Sequence, residues 1–376
     1  MLVRKNICIA INSLEMGGAE KQSVLLAEAL KPFHNIVLVV VDPQKKVYPP
    51  RMQTLKHEDI ETVFLKKNLL RKIGTFTSIL KKKKIEFIFS FLATDTVLST
   101  VCGLLTKVPY IFGGLRSSSW PKFKLLVLRA NHNYFLTYTI ANNFAGYQAA
   151  IDYGFNQNVL VIPNGIEIRP LQPKIKSPKT INIISMGRLV KPKRYDIAIK
   201  TIMHLKTIIK ANCNINYKIV GQGPEYETIS SLIDKYKVGK EVEIINGVSD
   251  VYSLLDKSDI YLCTSSFEGI SNSLMEAMNC ALPIVATDVG DNSRLVLDNE
   301  SGYLAPVNNY VMLAEKLDDL IKSPTSQELM GRAGYRHLIK NFGFKTFQKK
   351  YLDLIANVEN IEICKGEFTF RAESDK

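Results

Sequence analysis

Glu268 and Glu276 stand eight residues apart in SSFEGISNSLMEAMNCALPIVATD (265–288), with a glycine, two serines and an asparagine between them. The apolar run Leu274, Met275, Ala277, Met278 predicts a helix opening near Asn272 or Ser273. A helix start offers free N–H groups and a partial positive charge, which suits a phosphate. Gly269 lets a backbone come close to a ligand, and Ser271 and Asn272 can cap or donate. Glu268 before the helix and Glu276 within it would reach different parts of one molecule. A second reading stands beside this one. Ser273 followed three residues later by Glu276 fits a capping box, which would make Glu276 structural.

Two cations add to the pattern. Arg188 and Lys193 in SMGRLVKPKR follow the strand-like INIIS, and a guanidinium fork with an ammonium point charge suits a diphosphate. A solvated basic loop is the plainer account of the same residues. Near the start, Gly17 and Gly18 lie between the first strand and the first helix, a place where backbone can approach phosphate.

These residues need a scaffold, and the chain supplies one by alternation. NICIAINS, GAEKQSVLLAEALKP and NIVLVVVD open a strand–helix–strand series that NVLVIPNG closes near residue 165. A second series runs from INIISMGRL to SGYLAP. Such alternation predicts parallel sheets with crossover helices, in two doubly wound halves. We divide the chain into an N-terminal domain (1–165), a C-terminal domain (166–340) opened by the proline-bearing linker 166–180, and a closing helix with a loose tail (341–376). That helix, GFKTFQKKYLDLIANV, is expected to pack back towards the N-terminal domain. A ligand would bind outside the carboxyl ends of the strands, in a central cleft that the two Rossmann-like domains face.

Composition narrows the classes. At 376 residues and 46% hydrophobic content, two cored domains are expected. No apolar run approaches the roughly 18–20 residues of a membrane span, and the first strand lacks a cleavage site, so a cytoplasmic product is expected. The six cysteines form no CxxC pair and the five histidines no HxH or HxxxH spacing, so no structural zinc and no histidine metal site is expected. The net charge of +13 is uneven: residues 1–165 hold 21 Lys and Arg against 10 Asp and Glu. An anionic surface or partner for that half is one reading, a solvated basic face the other.

At this point the chain resembles the retaining GT-B glycosyltransferases of family 4. Glu268 and Glu276 match that family's E-x7-E motif. GGAEK (17–21), IPNGIE (162–167), GRLVKPKR (187–194), IVGQGPE (219–225), NGVSDV (246–251) and SGYLAP (301–306) follow its order. The resemblance implies a sugar transferase using a nucleoside-diphosphate sugar, with UDP the expected nucleotide, and retention of anomeric configuration. Arg188 and Lys193 would bind the diphosphate and stabilise the departing anion, and Glu276 would bond the ribose hydroxyls. Glu268, with the backbone of Gly269, Ile270, Ser271 and Asn272, would hold the donor sugar. Gly17 and Gly18 would close over the phosphates, and Gly247 and Val248 would lie near the base. No DxD-like cluster adjoins the site, so neither a metal nor another cofactor is expected.

Relatives often carry a histidine near the acceptor, whereas SFLATDTVLS has none. Asp95 can occupy that neighbourhood or cap the helix TVLSTVCGLL, and Arg116 in GGLRSSS can meet an acceptor phosphate. FLKKNLLRKIGTFTSILKKKK (64–84) and WPKFKLLVLR (120–129), with Trp120 and Phe123 among lysines, are basic and amphipathic. Such segments dock on anionic lipid, so peripheral attachment to the inner face of the membrane and a lipid-linked acceptor are expected. A sugar-nucleotide epimerase of the same fold is the alternative enzyme. A basic nucleic-acid-binding protein is the other, less favoured alternative; since no recognised motif accompanies the basic charge, nucleic acid is not expected as a partner.

Overall fold

The structure, a computed structural model, describes residues 3–42, 44–45, 47–116, 122–172, 180–209, 213–248 and 250–370. The chain forms two units, one of residues 1–165 with 344–376 and the other of residues 166–343.

In the first unit, β1 (Asn6–Ile11), α1 (Gly18–Leu30), β2 (Asn35–Val40), α2 (Pro49–His57) and β3 (Glu61–Phe64) build one half of the sheet. After the crossover α3 (Leu69–Lys82), the other half follows. It comprises β4 (Phe87–Ser90), α4 (Ala93–Thr106), β5 (Tyr110–Leu115), α5 (Lys122–Phe135), β6 (Tyr138–Ala141), α6 (Phe144–Asp152) and β7 (Val159–Val161). The strands are parallel in the order β3-β2-β1-β4-β5-β6-β7, and Ile9 of β1 lies in register with Leu38 and Phe89. Helices cover both faces, so strands such as NICIAI are apolar throughout rather than alternating. Ile7, Ile9 and Ile11 enter one core, and Cys8 and Ala10 enter the opposite one with Phe76 and Leu98.

The second unit repeats the plan. Its strands are β8 (Thr180–Met186), β9 (Asn214–Val220), β10 (Val242–Ile245), β11 (Ile260–Cys263), β12 (Ile284–Thr287) and β13 (Gly302–Ala305). They alternate with α7 (Tyr195–Ile208), α8 (Tyr226–Lys235), α9 (Tyr252–Leu255), α10 (Asn272–Asn279) and α11 (Asn292–Leu295). α12 (Tyr310–Lys322) and α13 (Pro324–Phe342) complete it, and the parallel order is β10-β9-β8-β11-β12-β13. Part of the expected linker belongs to this unit: Ile166 donates its N–H to the Phe342 carbonyl (3.0 Å).

The closing helix α14 (Phe344–Ala356) places Phe347, Tyr351, Leu354 and Ile355 in the core of the first unit. The expected loose tail is corrected over Ile361–Phe370. Here β14 (Ile361–Cys364) and β15 (Glu367–Phe370) form an antiparallel hairpin. Alternating Ile361, Ile363, Phe368 and Phe370 around a Lys365-Gly366 turn gives the segment one apolar face. Val161 of β7 anchors it by donating its N–H to the Gly366 carbonyl (2.8 Å).

Asp95 resolves into the capping role. It is 0% exposed at the third position of α4, and its carboxylate accepts from the N–H groups of Leu92 (2.8 Å), Phe91 (3.2 Å) and Thr96 (3.2 Å). No face of it is left for an acceptor. Burial pushes its carboxyl up to about 8, against backbone N–H groups that pull it down. Between the ordinary aspartate range and that value, the folded state holds a proton that the unfolded state has released. Stability from this group is therefore greatest in acid and is lost as pH rises through about 8. Thermal unfolding across pH 5–8 should show stability falling by at most about 1.4 kcal/mol per pH unit, and Asp95→Asn should flatten that slope. An unchanged slope in the variant would assign the dependence to another group.

Candidate functional site

The second sheet reverses its strand order between β8 and β11, the place where an open α/β sheet binds its ligand. The loop after β8 carries Arg188 and then a short 3-10 turn, Lys191–Lys193. The loop after β11 carries Glu268. Across the reversal, Lys193 Nζ pairs with Glu268 Oε1 at 2.5 Å. The same oxygen accepts from Ser265 Oγ (2.7 Å). Glu268 is 8% exposed, so its carboxyl group is satisfied by a lysine and a hydroxyl rather than by water.

The end of β11 also grips the lysine turn from beneath. Thr264 Oγ1 donates towards the carbonyls of Lys193 (3.1 Å) and Arg194 (2.9 Å), and the Ser266 N–H donates to the Pro192 carbonyl (2.8 Å). Arg194 holds a left-handed backbone (φ 50°) at the entry to α7 and forks onto Asp196, with both bonds at 2.9 Å. The Arg188 loop is pinned separately. Gly187 N–H donates to the Val220 carbonyl (3.0 Å) and Leu189 N–H to the Gln222 carbonyl (2.9 Å). Leu189 is fully buried while Arg188 is exposed, and its guanidinium has no partner among the described residues. A Cβ on Gly187 would lie 3.5 Å from Lys193 Nζ, so the loop folds Lys193 back against its own start, next to Arg188.

α10 begins at Asn272 with Ser271 as its N-cap, and no side chain caps it. Ser271 Oγ and Ser273 Oγ lie 3.1 Å apart. Ser273 is therefore already inside the helix, and the capping box with Glu276 does not form. That removes the capping-box account of Glu276, which sits half-buried further along α10. Its carboxylate lies near Tyr252, whose hydroxyl is pushed up to about 12, first by burial and then by the charge of Glu276. Gly247 and Val248 follow β10, with Gly247 exposed at φ 71° and Val248 packed on the core beneath α10. Gly269 is half-buried and Ile270 is buried. Arg188, Lys193, Gly247, Glu268 and the α10 start thus all follow the carboxyl ends of β8, β10 and β11.

In the first unit, Gly17 and Gly18 follow β1, which flanks that sheet's own order reversal between β1 and β4. Gly17 is the N-cap of α1, and the Glu20 side chain folds back beside it. Ser13 Oγ lies 3.1 Å from Glu20 Oε1 and 3.3 Å from Glu15 Oε2, so carboxylates border the glycines, and the Gly17 N–H is taken by the Glu15 carbonyl (2.9 Å). Arg116 lies at the end of β5. Its Nη1 donates to Asn164 Oδ1 (2.7 Å), and its guanidinium sits 4.7 Å from the centre of the Phe91 ring.

Sequence reasoning missed three supports. Ser265 is 1% exposed and orients Glu268; its position three residues before that glutamate was the available signal. Gly290 lies beneath Glu268, where a Cβ would come 1.8 Å from the Glu268 carbonyl oxygen. Arg51 is 9% exposed and donates through Nη2 to the Gly17 carbonyl (2.6 Å), a contact across 34 residues that no local pattern announces. Trp120 and the Lys122 side chain, singled out for lipid contact, lie outside the described residues. Among the described residues, no group of three His, Cys, Asp or Glu side chains is gathered for a metal ion.

Residues 168–337 match the model of the family Glycosyl transferases group 1, a span that contains every site residue of the second unit. An uncharacterized glycosyltransferase of Haemophilus influenzae is 33% identical over 170 residues, covering 44% of this chain and 46% of that protein. The Campylobacter jejuni GalNAc-alpha-(1->4)-GalNAc-alpha-(1->3)-diNAcBac-PP-undecaprenol alpha-1,4-N-acetyl-D-galactosaminyltransferase is 25% identical, covering 94% of this chain and 99% of that protein. The matches span less than half the length of several curated relatives, 41% and 39% in two further cases. Among solved structures, Anabaena Alr3699/HepE in complex with UDP has a TM-score of 0.79 at 17% identity, over 93% of this chain and 99% of that one. That likeness gives the fold, two Rossmann-like doubly wound units of the GT-B kind.

Proposed function

We propose that this chain, whose residues 168–337 match the Glycosyl transferases group 1 family, is a glycosyltransferase. It moves a sugar from a nucleoside-diphosphate donor, UDP by expectation, to a lipid-linked glycan, with retention of anomeric configuration. The setting is the inner face of a bacterial membrane during surface polysaccharide assembly. The observation that carries this reading is the Lys193–Glu268 pair across the order reversal of the second sheet, beside the start of α10. In support, the HepE structures contain UDP, and one of them UDP and glucose. The Campylobacter enzyme is named for an acceptor on undecaprenol diphosphate.

The chemistry follows from charge. Breaking the bond between the anomeric carbon and the diphosphate leaves an anion, and donors aimed at that anion lower the barrier. Lys193 and the exposed Arg188 meet it as point charge and fork. The start of α10 at Ser271 and Asn272 adds the partial positive charge of a helix N-terminus. Glu268 is already fixed by Lys193 and Ser265, so it anchors hydroxyls of the transferred sugar together with Gly269 and Ile270. Glu276 holds the ribose, and Gly247 and Val248 border the base. Arg116, braced by Asn164, meets the acceptor's phosphate. No carboxylate is assigned as a general base in this scheme, and no metal takes part in it.

The test is calorimetric titration of UDP, GDP and ADP into the protein without added metal. Selective binding of one diphosphate supports the reading and identifies the donor class. Glu276→Ala should weaken that binding about 10–100-fold, the worth of hydrogen bonds to a charged group, with the melting temperature unchanged. A lowered melting temperature with full affinity would make Glu276 a structural residue after all.

A further inference from the structure

Arg169, near the start of the second unit, is held from several sides. Its N–H donates to Asn279 Oδ1 (3.1 Å), and its carbonyl accepts from the Tyr335 hydroxyl of α13 (2.7 Å). Asn279 also donates its amide nitrogen to the Glu167 carbonyl (2.8 Å). One side chain thus stands in for a neighbouring strand and straps residues 167–169 to the end of α10. The Arg169 guanidinium forks onto Asp256, at 3.5 Å to Oδ1 and 3.3 Å to Oδ2, and reaches Cys280 Sγ (3.6 Å). It lies over the ring of Tyr252, 4.1 Å from the centroid. A guanidinium bonded at its edges and stacked on an aromatic face is a rigid clamp on that ring.

The stack needs only the ring, and a phenylalanine would serve it equally. The hydroxyl of Tyr252 is the surplus group. Glu276, Asn279 and Cys280 are spaced i, i+3, i+4 and share one face of α10, while Leu274 and Met278 turn the other way into the core. Arg169 touches that face at Asn279 and Cys280, and the ring it clamps lies beside the same face. Burial and then the charge of Glu276 raise the ionisation of the Tyr252 hydroxyl, and a hydrogen bond from the Asn279 side chain lowers it. A hydroxyl that accepts from an amide still has its proton to give, and the carboxylate on that face is the acceptor. We propose that Tyr252 is a positioning residue for Glu276: clamped by Arg169, it gives its hydroxyl proton to the carboxylate and fixes the rotamer in which Glu276 meets the ribose hydroxyls. The carboxylate then loses its rotamer freedom before the nucleotide arrives rather than on binding. This deepens the reading of Glu276 as the ribose ligand and rests on it.

The experiment is calorimetric titration of UDP and 2′-deoxy-UDP into wild type, Tyr252→Phe, Glu276→Ala and the double variant. Melting temperatures are taken on the same preparations of the full chain. Tyr252→Phe keeps the ring and its stack on Arg169, so the melting temperature should hold. UDP affinity should fall about three- to tenfold, the worth of one hydrogen bond. Affinity for 2′-deoxy-UDP should fall less, which narrows the preference for UDP that wild type shows. The two substitutions should be non-additive, with the double variant binding UDP no more weakly than Glu276→Ala alone. Losses that add overturn the proposal, because Tyr252 then acts independently of Glu276. Equal losses for both nucleotides with a lowered melting temperature overturn it too, since they make Tyr252 a residue of the fold alone. So does full UDP affinity in Tyr252→Phe. Those three outcomes leave the ribose reading of Glu276 standing, whereas full UDP affinity in Glu276→Ala overturns that reading and the proposal with it.

Discussion

Lys193→Ala is expected to slow sugar transfer by about two to three orders of magnitude, the usual loss when one preorganised donor to a developing anion is removed. Two effects combine in this variant and have to be separated. Lys193 is the ion-pair partner of Glu268, whose side chain is only 10% exposed. Removing the cation leaves that carboxylate with Ser265 alone, which should cost about 1–3 kcal/mol of stability. The double variant Lys193→Ala/Glu268→Gln discriminates between the effects. Neutralising the stranded acid should restore most of the melting temperature and none of the rate. If the double variant recovers both, Lys193 serves only to hold Glu268, and charge stabilisation of the leaving group falls to Arg188.

Gly290→Ala is the second large effect, and it is a backbone effect. Gly290 has φ 53°, which a side chain adopts at a cost, and its Cβ would lie 1.8 Å from the carbonyl oxygen of Glu268. The obstacle is backbone, so no rotamer change relieves it, and the loop carrying Glu268 has to move. We expect a loss of about 3 kcal/mol or more, from the strained dihedral and the overpacking together, with weakened binding of the sugar nucleotide. Gly247→Ala is the internal control. Gly247 also has positive φ (71°), yet the nearest atom to its added Cβ is 3.8 Å away. That substitution should cost only about 1 kcal/mol, the dihedral term by itself. Equal losses at the two glycines, measured by denaturant unfolding, would refute the claim that Gly290 supports Glu268 by close approach.

The outcome at Glu276 shows where sequence reading had to stop. Ser273 and Glu276 have the spacing of a capping box, and nothing local separates a helix that begins at Ser271 from one that begins two residues later. The decision comes from the chain emerging from β11, which puts Ser271 at the N-cap and leaves Ser273 inside the helix. Asp95 is the converse case. Its two roles were open from its position before an apolar run, and burial beneath Phe91 and Leu92 left only the cap.

The amino-acid order by itself determined the alternation of strand and helix, and with it two parallel sheets. Continuous apolar runs such as NICIAI and IYLC need cover on both faces, and the crossover helices between them supply it. It also determined the residue types at the second unit's strand ends, Arg188, Lys193, Glu268 and Glu276. Tertiary structure alone decided which of them meet. Lys193 and Glu268 are 75 residues apart and touch because β8 and β11 are neighbours at the reversal of strand order. It also decided the facing of α5. A helical period reveals that a stripe exists, but not which side the sheet will take. Here Leu125 and Leu128 turn into the core together with Asn131 and His132, which bond Thr100 of α4 and Thr139 of β6, and a second apolar stripe was left outside.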